Sequence, residues 1–155
     1  MKVVLQRVKH AAVEADGKVT GEIERGVCLL VGIEKGDSED DVQHMAKKIT
    51  ELRIFPDEEG KMNLSLLEIR GEVLAVSQFT LAGSVKKGRR PSFDKAEVPQ
   101  RAEKLFFYLV DLIRRKGVKV EAGVFGALMD VHLVNDGPVT FILQKKSFRG
   151  EDVIK

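Results

Sequence analysis

The dipeptide Asp16-Gly17 sits between two Val-rich stretches, and that combination constrains the fold of the N-terminal third more than any other feature. Asp and Gly tolerate the positive φ that a two-residue hairpin turn requires, so the flanking stretches are predicted to pair antiparallel. Residues 2–8 and 11–16 read as strand on one side, and residues 18–24 read as strand on the other. The run Val27-Cys28-Leu29-Leu30-Val31 is continuously apolar, as in a strand buried on both faces.

The pattern then changes period. Ser38 reads as a helix N-cap, with Glu39, Asp40 and Asp41 in the first turn, where the helix dipole favours negative charge. Val42, Met45, Ala46, Ile49 and Leu52 recur at helical spacing, which predicts an amphipathic helix of about four turns. A second helix is predicted from near Pro99, with Ala102, Leu105, Phe106, Leu109, Leu112 and Ile113 as its buried face and Gly117 at its end. Between the helices, residues 57–60 read as a turn and residues 73–81 as a second apolar run. Residues 118–121, 127–134 and 139–145 read as closing strands, the last two flanking Asn135-Asp136-Gly137-Pro138. The expected fold is α+β: mostly antiparallel, barrel-like sheets with two main helices packed on them.

A chain of 155 residues fits one domain, spanning 1–155. Its 43% hydrophobic and 32% charged residues exclude a disordered or fibrous class. The net charge of +2 is unevenly spread: residues 1–75 carry 11 basic and 15 acidic side chains, residues 76–155 carry 15 and 9. The second half is therefore expected to contribute a basic face. Cys28 is the single cysteine, which excludes an internal disulfide and a multi-Cys zinc site, and its apolar surroundings predict a buried, inert thiol. His10, His44 and His132 are scattered without ligand partners, so neither a metal nor a cofactor is expected. The N-terminus lacks a signal-peptide pattern, and no segment approaches the ~20 apolar residues of a membrane helix. No membrane association and a cytoplasmic location are expected.

Common catalytic signatures are absent: there is no Gly-x-Ser-x-Gly elbow and no His-Glu-x-x-His helix. The loop Gly83-Ser84-Val85-Lys86-Lys87-Gly88-Arg89-Arg90 superficially resembles a P-loop but lacks its Lys-Ser/Thr ending. Lys86, Lys87, Arg89 and Arg90 instead put four cations in five positions, with Pro91 and Phe93 next. Such a loop either follows a phosphate backbone or is a solvated surface loop. Ser77-Gln78-Phe79-Thr80 turns an apolar strand polar at its end. In a regular strand Gln78 and Thr80 share one face while Ser77 points away, so Ser77 and Thr80 meet only if the strand bends. The alternative is a strand end whose hydroxyls cap backbone groups. Gly137-Pro138 is open to an ordinary turn or a cis bond.

Taken together, Ser77-Gln78-Phe79-Thr80-Leu81, Lys87-Gly88-Arg89-Arg90-Pro91-Ser92-Phe93 and Asn135-Asp136-Gly137-Pro138-Val139-Thr140 resemble the signature of the D-aminoacyl-tRNA deacylases, the D-tyrosyl-tRNA deacylase family. Gln6-Arg7-Val8, Leu52-Arg53-Ile54-Phe55 and Gly123–Met129, with Phe125-Gly126-Ala127, match the same pattern, and the similarity runs from residue 2 to about residue 145. The chain departs from it after Leu81, where Ala82-Gly83-Ser84 replace an aromatic and an acidic residue.

The resemblance implies a cytoplasmic homodimer that hydrolyses the ester of D-aminoacyl-tRNA, with its active site at the subunit interface. Ser77, Gln78, Phe79 and Thr80 would line the pocket, with Phe125 and Met129 nearby. Gly137-Pro138 of one subunit, in cis, would enter the pocket of the other, and Arg7 would support it. Lys86, Lys87, Arg89 and Arg90 would hold tRNA. An aminoacyl ester is already activated, which suits a chain without a catalytic triad. Backbone N–H groups around Phe79 and Thr80 are candidate oxyanion donors, and Thr80 as a covalent nucleophile is the sharper alternative. Rigid Gly137 and Pro138 carbonyls would reject an L substituent whatever its chemistry, so glycyl-tRNA is expected to be released as well. The rival functions are a non-catalytic tRNA-binding module and a small-molecule esterase.

Overall fold

A computed structural model describes residues 1–145, so residues 146–155 of the expected domain lie outside the described residues. The N-terminal hairpin forms as its turn chemistry predicts. Asp16 and Gly17 take φ of 51° and 72°, and they join β1 (Lys2–Ala15) to β2 (Lys18–Ile23). β1 is one strand rather than two pieces, and β3 (Gly26–Gly32) pairs with its first half in antiparallel register.

Helix α1 (Glu39–Glu51) starts where Ser38 caps it: the Asp41 N–H donates to Ser38 Oγ at 3.3 Å, and the Ser38 N–H donates to Asp41 Oδ2 at 2.9 Å. β4 (Phe55–Pro56) and β5 (Met62–Leu64) form a small antiparallel ribbon around the turn at Asp57. The Asp57 carboxylate accepts from the Lys61 and Glu59 N–H groups, which hold its pKa below the usual carboxylate range. β6 (Glu72–Ser77), α2 (Pro99–Arg115), β7 (Val120–Ala122) and β8 (Met129–Gln144) complete the described chain.

The main sheet runs β2-β1-β3-β6-β7, with β8 paired to β1. Most of its pairings are antiparallel, as expected, but β3–β6 and β6–β7 are parallel, which makes the sheet mixed. The reason is connectivity: the chain between β3 and β6 carries α1, and the chain between β6 and β7 carries α2. Parallel neighbours need such a long crossover. The sheet curls until its ends approach. A Cβ on Gly21 of β2 would lie 3.1 Å from Ala122 O of β7, so the barrel-like reading holds.

Two cores follow from the period-2 alternation of the central strands. Val27, Leu29 and Val31 of β3, with Val73 and Ala75 of β6, face the helices and pack with Met45, Ile49, Phe106, Leu109 and Ile113. Cys28, Leu74 and Val76 face the barrel interior with Val8, Ala11, Val13 and Ile23. Fully burying one such large apolar side chain stabilises by ~1.5–3 kcal/mol. Burial pushes the Cys28 thiol up to about 12, so it stays protonated and inert.

The largest correction concerns residues 135–138. They do not join two strands. β8 is continuous along β1, and the four residues bulge out of it. Gln6 pairs with Thr140 and Val8 with Asn135, so two steps along β1 match five along β8.

Candidate active site

β6 stops at Ser77 because the chain turns into a single 3₁₀ turn, Phe79–Ala82. The Gln78 N–H donates to Val31 O at 2.8 Å and extends the β3–β6 ladder by one bond. The Leu81 N–H then donates back to Gln78 O at 3.2 Å. The turn sits so close to β3 that a Cβ on Gly32 would lie 2.8 Å from Leu81 Cβ and 3.0 Å from Gln78 O. Glycine at position 32 is what lets the turn seat there.

Below the turn lies a cavity of about 520 Å³, at the carboxyl ends of the parallel strands β3 and β6. Its walls include Val31, Ile33, Val76, Ala102, Phe125, Met129 and Val131, and its polar side chains are Ser77, Gln78, Thr80 and Glu97. The bend brings Ser77 and Thr80 onto one lining, which a regular strand forbids. The Gln78 Nε2–H donates to Thr80 Oγ1 at 2.7 Å, so the threonine oxygen spends a lone pair inside the protein. In a helical turn opening at Phe79, the N–H groups of Phe79 and Thr80 precede any acceptor of their own turn.

The one ionisable side chain among the described lining residues is Glu97. It is engaged: Oε1 accepts from the Val98 N–H at 2.9 Å, and Oε2 meets Arg101 Nε at 3.1 Å. Arg101 also donates to Asp37 O at 2.6 Å and ties the pocket wall to the β3–α1 connection. Nearby, Asp37 holds the buried N-terminal ammonium at 2.6 Å, and burial raises its carboxyl above the usual range. No nucleophile in the lining has a free base beside it, and the described residues hold no cluster of His, Cys, Asp and Glu fit to bind a metal.

The chain thus gathers Ser77, Gln78, Phe79, Thr80, Phe125 and Met129 in one place. Arg7, Gly137, Pro138 and the four loop cations lie outside that lining. Arg7 is 8% exposed and braces the β8 bulge, donating from Nε to Asp136 O at 3.0 Å and from an Nη to Ile54 O at 2.7 Å. Asn135 spans the bulge from within: its Oδ1 accepts from the Val139 N–H at 2.6 Å, and its Nδ2 donates to Thr140 Oγ1 at 3.1 Å. Gly137 takes φ 142°, a conformation that L side chains rarely adopt, and the Gly137-Pro138 bond is cis. Both residues are exposed. Lys86, Lys87, Arg89 and Arg90 crown a loop closed by reciprocal Ser84–Ser92 backbone bonds of 2.7 and 2.8 Å.

The family model for D-Tyr-tRNA(Tyr) deacylase matches residues 4–144, nearly the whole described chain. The chain belongs to this deacylase family. A D-aminoacyl-tRNA deacylase of Geobacter sulfurreducens is 57% identical over 147 residues, 95% of this chain and 97% of that one. One of Aquifex aeolicus is 53% identical, covering 94% and 99%. Among solved structures, the c-Myc DNA unwinding element binding protein superposes with a TM-score of 0.88 at 40% identity, over 95% of this chain and all of that one.

Several residues that line the cavity escaped the sequence reading. Ala96, Glu97 and Ala102 join the lining because residues 95–97 bond back to β3: the Lys35 N–H donates to Lys95 O and the Glu97 N–H to Ile33 O. The one local signal was an acid just before Pro99 with Arg101 four residues on. Leu128, 94% exposed at the pocket rim, left no signal beyond its neighbours Phe125 and Met129.

Proposed function

We propose that the chain hydrolyses the ester between a D-amino acid and the 3′ end of tRNA in the pocket below the 3₁₀ turn. It acts in the cytoplasm, in chiral quality control of translation. The observation that carries this reading is a polar turn at Ser77–Thr80 closing a largely apolar cavity whose one ionisable lining side chain, Glu97, is tied to Arg101 and in which no nucleophile has a free base. Such a site suits an ester that is already activated. It needs a positioned water or ribose hydroxyl and an oxyanion donor, and one donor is worth ~10²–10³ in rate. The Phe79 and Thr80 N–H groups are the donors in this reading, and the Thr80 hydroxyl is not the nucleophile.

The functional unit is a homodimer, in which Gly137-Pro138 of one subunit enters the pocket of the other. Three features support this. The bulge is exposed and outside its own chain's pocket. β8 pairs with β1 alone among the described strands, which leaves an edge open. Val134, Phe141 and Ile142 on that strand are exposed. The inserted backbone carbonyls exclude an L substituent while leaving D-aminoacyl and glycyl esters free to bind.

The test is incubation with D-alanyl-tRNA and, separately, with a free D-alanine ester. Release of free tRNA with slow turnover of the free ester is expected. Binding without release would leave a tRNA-binding module, and equal turnover of the free ester would leave a small-molecule esterase.

A further inference from the structure

We infer that Phe93 is a base-stacking subsite for the penultimate nucleotide of the RNA 3′ end. The inference rests on the deacylase reading and goes beyond it. Phe93 follows Ser92, whose N–H and carbonyl both bond to Ser84, so the ring stands at the closed base of the basic loop. A Cβ on Gly83 would lie 2.9 Å from the Phe93 ring, so glycine opposite leaves the ring its room. The ring meets Phe79 edge-to-face, with centroids 5.2 Å apart and planes at 63°. Phe79 is 61% exposed and Phe93 39% exposed, an unusual cost for two packed aromatic rings unless something covers them.

What covers them is indicated by the charges. Lys86, Lys87, Arg89 and Arg90 are exposed and make no ion pair with a described residue. Arg90 stands three residues before Phe93, at most about 10 Å away along the backbone. Exposed rings beside unpaired cations are the combination that grips single-stranded nucleic acid, the rings taking bases and the cations taking phosphates.

The order of groups sets the register. Phe79 belongs to the pocket lining, Phe93 stands just outside it, and the cations lie farther along the loop. The terminal nucleotide carries the ester and must reach the pocket. Its neighbour then falls on Phe93, and the phosphates beyond fall on the loop.

The test uses a short single-stranded RNA ending in the three nucleotides common to tRNA 3′ ends, with the fluorescent base 2-aminopurine at the penultimate position. Binding to the wild type should quench the fluorescence. Phe93→Leu should abolish the quench and weaken binding by about 5- to 150-fold, and Phe93→Trp should restore both. An abasic penultimate nucleotide should weaken binding to the wild type but not weaken it further with Phe93→Leu. Deacylation of D-alanyl-tRNA by the wild type is measured alongside. An active wild type whose RNA affinity ignores the penultimate base overturns the subsite alone, and an inactive wild type overturns both readings.

Discussion

The molecule departs from regular strand in two places, and the two departures have opposite shapes. At the end of β6 the chain folds inward, and the turn at Phe79–Ala82 roofs a cavity lined by its own chain. In the middle of β8 the chain folds outward, and Gly137-Pro138 is exposed and outside the lining of that cavity. The turn is seated by a close approach to Gly32. The bulge is braced by the buried guanidinium of Arg7 and by Asn135. One region is a socket that carries the polar groups. The other is a rigid projection that offers chiefly backbone. In the function proposed above, the two regions divide the labour, with chemistry in the turn and selection in the bulge of a second copy.

The largest expected effect tells which region the tRNA reaches first. Replacing Lys86, Lys87, Arg89 and Arg90 with Ala removes four contacts of ~0.7 each and lowers the log–log salt slope of tRNA binding by about 3. Titrations at several salt concentrations check it, and an unchanged slope would make the loop an ordinary solvated surface. The next effect strikes the socket. Gly32→Ala forces the turn away from β3, and turnover of D-aminoacyl-tRNA should fall by ~10², because misplacement by about 1 Å costs that much. The fold should survive, as far-ultraviolet circular dichroism would show. The projection responds differently. Arg7→Ala strips two carbonyls of their donor and should cost about 3 kcal/mol in urea unfolding. The surviving folded protein should lose discrimination between D and L esters more than it loses rate. The smallest effect is expected at Thr80. Its oxygen already accepts from Gln78 and no free base adjoins it, so Thr80→Ala should keep activity within ~10-fold, against ~10⁶ for removal of a serine protease nucleophile. Complete inactivation of the folded variant, or a trapped acyl-enzyme, would move the chemistry onto that side chain.

How much of this was legible beforehand follows from how local each cause is. Asp16-Gly17 carries its own turn, and Ser38 with Asp41 carries its own cap, so the hairpin and α1 could be read residue by residue. The parallel pairing of β3 with β6 is set by a crossover of some forty residues, which local alternation does not report. The bulge at Asn135–Pro138 looked like a turn because its residues are turn formers. Only its partner strand, with Val8 opposite Asn135 and Gln6 opposite Thr140, makes it an excursion within one strand. At the site, the polar run from Ser77 to Thr80 was visible, but the bend that puts Ser77 and Thr80 on one lining depends on Gly32, far away in sequence. Glu97 stayed hidden for the same reason, since its place is fixed by a backbone bond to Ile33.

The division between socket and projection is tested most directly by single-turnover deacylation of D-alanyl-, glycyl- and L-alanyl-tRNA under one set of conditions. A backbone screen rejects only what has a substituent on the L side, so the D-alanyl and glycyl esters should be released at comparable rates while the L-alanyl ester is spared. Selection by gripping D side chains would instead penalise glycine, since burying a side chain is worth ~1.5–3 kcal/mol, roughly 10–150-fold in rate. Glycyl-tRNA as resistant as the L-ester would contradict the account.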